Sequence, residues 1–106
     1  GDTAENLQGA MDGELFEIEQ MYPSYQLVAK EQKEKEAIRS FRYSIEAEKI
    51  HAKMFSEAKK SVEKGKDIEL ESVSICEICG HTVKNDTPHE CPICKAKKED
   101  FKKFTK

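Results

Sequence analysis

The sequence predicts a mainly α fold: two helical segments followed by a small C-terminal module held together by a metal. Three observations carry this reading. Apolar residues recur at spacings of three and four through residues 4–28 and again from Lys35 to Lys64, the period of a helix face. The pattern stops at Gly65. From Ile75 onward apolar residues are too few for burial alone to fold the chain, yet that stretch holds all four cysteines, Cys76, Cys79, Cys91 and Cys94. The chain therefore divides into a helix pair (1–64), a linker (65–74) and a cysteine module (75–106).

The first helix is expected to begin near Ala4 with Thr3 as its N-cap, the hydroxyl accepting a bond from an unpaired first-turn amide. Its stripe runs through Leu7, Ala10/Met11, Glu14, Glu17/Ile18, Met21, Tyr25 and Val28. Gly13 weakens the helix by roughly 1 kcal/mol relative to Ala, leaving room for a close neighbour beside Glu14, and Pro23 should kink it. The second helix carries Ala37/Ile38, Phe41, Ser44/Ile45, Glu48, His51/Ala52, Phe55, Ala58 and Val62 on one side and mostly Glu, Lys, Arg and Ser on the other. Every residue from Lys30 to Glu36 is a good helix former, and no Gly or Pro lies between Pro23 and Gly65. A hairpin and one continuous helix both satisfy that stretch. Within the linker, Ile68, Leu70 and Val73 suit a short extended piece.

Charged residues are 37% of the 106-residue chain, but the signs are interspersed and the net charge is only -3, so there is no basic stripe for nucleic acid. No apolar run reaches the ~18–20 residues of a membrane span, and Gly1–Gln20 lacks the layout of a signal peptide. A cytoplasmic protein is the expectation.

Both helices place ionisable groups inside their apolar stripes. Residues three apart share a helix face, which pairs Glu14 with Glu17 and Glu48 with His51. Buried carboxylates cost several kcal/mol each unless paired or metal-bound. Helix Glu combined with Glu-x-x-His is the donor pattern of four-helix di-iron proteins, so Glu14, Glu17, Glu48 and His51 are read as metal ligands. In the C-terminal module two C-x-x-C knuckles, eleven residues apart, supply four thiolates for one tetrahedral metal. Iron and zinc both accept that set. Gly80 can take the backbone angles that aim amides at sulfur, Pro92 stiffens the second knuckle, and Phe101 and Phe104 are expected to close over the centre. His81 and His89 are surplus to four thiolates and are read as non-ligands.

Both signatures on one chain resemble the rubrerythrins, non-haem iron peroxidases. The residues that carry the likeness are Asn6-Leu7 with Ala10, Gly13-Glu14-x-x-Glu17, Met21-Tyr22-Pro23, Phe41, Ala47-Glu48-Lys49-x-His51-Ala52 and the paired knuckles. The resemblance implies a ferritin-like helical hairpin, completing a four-helix di-iron bundle by association, joined to a rubredoxin-like Fe(Cys)4 module. It implies reduction of hydrogen peroxide to water, with electrons from a redox donor protein passing through the rubredoxin-type iron. Glu14 then matches the ligand common to ferritin-like sites, Glu17 the additional carboxylate expected to shift, Glu48 the bridging carboxylate and His51 the imidazole. Tyr22 matches a tyrosine beside the irons.

The chain departs from the family pattern in holding only one helix pair and one Glu-x-x-His set. A homodimer, or association with a missing N-terminal helix pair, would each supply the other half; a start at Gly1-Asp2-Thr3 resembles the middle of a full-length member. Lys33 or a neighbour stands where the family usually has glycine between these helices. His81 replaces an aromatic residue after the first knuckle, and Lys95 a glycine after the second. Competing functions are a zinc-ribbon adaptor on a helical dimerisation hairpin and ferritin-like iron oxidation or storage.

Overall fold

The computed structural model describes residues 1–105. Helix α1 spans Thr3–Phe16, a π-helical turn covers Glu17–Met21, α2 spans Tyr22–Glu31, and α3 spans Lys35–Glu63. The N-cap of α1 is Asp2, not Thr3: its carboxylate accepts from the Glu5 amide at 2.8 Å. A charged acceptor at the positive end of the helix dipole outcompetes the neighbouring hydroxyl.

The irregularity expected at Pro23 takes the form of the π turn just before it. There the Tyr22 amide donates to the Glu17 carbonyl, and the Ser24 hydroxyl donates to the Gln20 carbonyl at 2.7 Å. A π turn inserts one residue into the helical frame, so the apolar stripe slips. Beyond it the inward residue is Ala29, while Tyr25, Leu27 and Val28 are 47–61% exposed. Tyr25 nevertheless reaches Phe41, the two rings tilted by 45° with centroids 5.5 Å apart.

Residues 32–34 form a turn, so the helices make a hairpin. Glu34 N donates to Ala29 O at 2.9 Å and Lys33 N to Lys30 O at 3.1 Å, with Lys33 at φ 57°. This is a Schellman C-cap with lysine in the left-handed position where glycine is usual. The end of α3 repeats it with the usual residue: Lys66 N donates to Ser61 O and Gly65 N to Val62 O, with Gly65 at φ 73°.

The C-terminal module is a three-stranded antiparallel sheet in the order β2-β1-β3, built from β1 (Ser72–Cys76), β2 (Thr82–Lys84) and β3 (Phe101–Thr105). Strand β1 opens within the stretch read as linker, pairing Val73 with Lys84 and Phe104. The module lies on α3. Gly80 faces Ala47 so closely that a Cβ on the glycine would stand 3.5 Å from the alanine Cβ. The Lys84 ammonium reaches the Glu57 carboxylate at 2.6 Å. Phe101 packs against the cysteines, but Phe104 does not close over them: it is 48% exposed beneath the Lys102 ammonium.

Inside the hairpin only Ala29, Ala47 and Ala52 are buried apolar residues, and the molecule measures 49 × 33 × 15 Å. That is a slab little thicker than one helix with its side chains. No helix among the described residues is long and apolar enough to cross a membrane.

Two predictions follow from this packing. Left-handed backbone costs a non-glycine residue about 1 kcal/mol, so Lys33→Gly should stabilise the protein by about 0.5–1 kcal/mol in chemical unfolding. His81 is 8% exposed, and burial holds its imidazole below the ordinary value. The unfolded chain therefore binds the proton more readily, and this contribution to stability is full above about pH 6.5 and lost as pH falls through the folded value. His81→Phe should flatten the decline of module stability below pH 6.5, read by thermal unfolding against pH.

Candidate metal centres

The two knuckles are built alike. In the first, Gly80 N donates to Cys76 O and Cys76 N to His81 O; in the second, Lys95 N donates to Cys91 O and Cys91 N to Ala96 O. Each turns on a residue with positive φ after its second cysteine, Gly80 at 85° and Lys95 at 68°. The loops thereby bring four sulfurs within 4.8 Å of one another. Cys76 Sγ lies 3.6 Å from Cys94 Sγ, and Cys79 Sγ lies 3.6 Å from Cys91 Sγ. A disulfide needs about 2.05 Å, whereas a tetrahedron with 2.3 Å metal–sulfur bonds has edges of about 3.7 Å. The spacing is that of a metal site.

Its electrostatics ask for a cation. Burial pushes the Cys79 thiol well above the ordinary range, despite the His81 amide aimed at its sulfur, and also raises Cys94. Burial acts on Cys91 in the same direction, but the Cys94 and Ile93 amides together with the Cys79 and Cys94 thiols outweigh it and hold that thiol below the usual value. A metal offsets the desolvation that keeps the first two protonated, and binding releases their protons.

The second cluster lies between α1 and α3. Glu14, Glu48 and His51 each offer a ligand atom within 4.8 Å of the others. His51 Nδ1 is 3.4 Å from Glu48 Oε1 and 3.8 Å from Glu14 Oε2. Glu14 Oε2 is buried without a hydrogen-bond partner. The other ring nitrogen, Nε2, is 2.9 Å from Thr82 Oγ1, whose hydroxyl donates to Gly80 O at 3.0 Å. A hydroxyl has one proton. With that proton given to a carbonyl, the Thr82 oxygen accepts from His51 and Nε2 carries the hydrogen. Nδ1 and the two carboxylates then turn their electron pairs toward one another, an arrangement that a cation between them would satisfy.

Glu17 does not join this group. It begins the π turn and stands half-buried one turn beyond Glu14. Tyr22 follows that turn, its ring half-buried 6.1 Å from Phe41. Gly13, beside Glu14, faces open space. One helix glutamate and one Glu-x-x-His pair are half the donor set of a di-iron bundle. The contribution of Thr82 was not anticipated, since neither periodicity nor cysteine spacing marks a threonine three residues past a knuckle.

Comparison with known proteins matches two stretches of the chain. The rubrerythrin family model matches residues 1–59, and that of the rubrerythrin rubredoxin-like domain matches residues 75–102. Rubrerythrin-2 of Clostridium acetobutylicum is 52% identical over 94% of the chain and 54% of its own length. Nigerythrin of Nitratidesulfovibrio vulgaris is 30% identical over 91% and 46%. A solved structure of nigerythrin in a mixed-valence state superposes with a TM-score of 0.85 at 27% identity, covering 98% of this chain and 50% of that one. A second, of fully reduced, all-ferrous nigerythrin, matches equally well. The chain spans about half the length of the curated relatives it matches. A fold of helical hairpin plus rubredoxin-like module, four clustered thiols suited to iron, and these matches together place the chain in the rubrerythrin family.

Proposed function

We propose that this chain is half of a peroxide-reducing assembly, in which a second helix pair completes a di-iron centre begun by Glu14, Glu48 and His51. The observation that carries the reading is the convergence of those three donors, with a buried carboxylate oxygen lacking any partner, on the helix that also seats the four-thiolate module. A pair of irons held by Glu14, Glu48, His51 and the donors of the second helix pair would supply two-electron reduction of hydrogen peroxide, which with two protons gives two waters, and iron held by Cys76, Cys79, Cys91 and Cys94 would relay electrons from a redox donor protein.

The chain's own residues set the conditions for that chemistry. Glu48 and His51, three apart on α3, hold their donors on one face, and Glu14 meets them from α1. Glu17 is the carboxylate suited to enter the site as metal charge changes. It is half-buried, one turn from Glu14, in a helical segment whose widened hydrogen bonding lets the backbone shift. Tyr22, half-buried at the next turn with its ring 6.1 Å from that of Phe41, offers a hydroxyl suited to orient a carboxylate. The partner is a second helix pair, either another copy of this chain or the helices that make up the rest of the relatives' length. The exposed Leu15, Phe16, Tyr25, Leu27 and Val28 give such a pair an apolar surface.

Glu48→Ala should remove iron from the helical site, leave about one iron per chain in the thiolates, and lower peroxide turnover by at least about 100-fold, beyond the loss typical of an outer-sphere partner. Elemental analysis, native mass and peroxide consumption check this together. Zinc in the thiolates, no iron at the helices and no turnover by the wild-type protein would assign the chain instead to the adaptor class.

A further inference from the structure

We propose that Thr82 is a positioning residue that links the two metal sites, so that filling the thiolate site strengthens the hold of the helical site on its metal. The inference rests on the two-centre reading above, but on different atoms.

Thr82 belongs to the cysteine module and is 6% exposed, while His51 belongs to α3. The 2.9 Å contact between them is a hydrogen bond joining the two halves of the chain, and the 3.0 Å bond from the same hydroxyl to Gly80 O favours His51 as its donor. Thr82 therefore keeps the hydrogen of His51 on Nε2 and turns Nδ1 toward Glu14 and Glu48. Metal-ligating histidines depend on such an acceptor for both tautomer and ring orientation.

The acceptor here is held by the first knuckle. Gly80, whose carbonyl takes the Thr82 proton, is locked by its own amide bond to Cys76 O, and His81, the residue between, accepts from Cys76 N. Those bonds exist in the geometry that four sulfurs around one metal impose. Four buried thiols without a cation do not hold such loops, because structural metal binding and module folding are one equilibrium. Metal in the thiolates thus sets Gly80, Gly80 sets Thr82, and Thr82 sets His51. Linkage requires the reverse effect to be equal: metal at the helical site must tighten the thiolate site by the same factor.

The test uses the full chain with ¹⁵N-labelled histidine, examined above the ordinary imidazole pKa of about 6.5. Zinc is the probe, because it is diamagnetic and its first equivalent goes to four thiolates. In the one-zinc protein, wild type and Thr82→Ser should show His51 as the Nε2–H tautomer with a slowly exchanging ring proton. Thr82→Val should move the hydrogen toward Nδ1 and weaken binding of a second zinc about 10–100-fold, the usual cost of losing an outer partner. The proposal is overturned if Thr82→Val matches wild type in tautomer and second-zinc affinity, if Thr82→Ser fails to restore them, or if the His51 signals are the same with and without the first zinc. None of these readouts involves iron or peroxide, so their failure leaves the peroxidase reading standing, and failure of that reading leaves them intact.

Discussion

The structure is governed by electron pairs brought together in places where water cannot reach all of them. Four sulfurs lie within 4.8 Å of one another in the C-terminal module, and two carboxylates and an imidazole do the same between α1 and α3. Each cluster is unfavourable as bare protein, since a buried charge without a partner costs several kcal/mol. A cation reverses the sign. The local features read as means of keeping the donors close until one arrives: positive φ after each knuckle, small residues on α3 where the module rests, and a threonine fixing the far side of the imidazole.

The two clusters meet this constraint differently. The thiolate set is complete within one chain, so its knuckles close around it and the surrounding strands follow. The helical set brings together three donors, and the packing around it is thin. Only alanines are fully covered in the hairpin, while large apolar side chains on α1 and α2 face outward. The assembly proposed above would account for both, since a second helix pair would bring further donors and cover those side chains.

Much of this was legible in the residues. The period of apolar positions located α3 to within a residue of its end, and the two C-x-x-C pairs located the module. Three of the four expected helical ligands converge. What the sequence could not show has identifiable physical reasons. The π turn inserts a residue without any glycine to announce it, so the stripe written through Val28 in fact runs through Ala29. Lys33 and Lys95 occupy left-handed positions that glycine would have advertised, which left hairpin and continuous helix equally consistent with the residues. Asp2 rather than Thr3 caps α1 because two good cap residues stood side by side. Thr82 depends on a contact between residues 31 apart, which no local pattern encodes.

The 15 Å slab has one more implication. An object one helix deep has two faces and no interior, so the hairpin cannot be a container for anything by itself. A second layer laid against it would give it a cavity. In the assembly proposed above, laying down that second layer and taking up metal would be linked, each favouring the other.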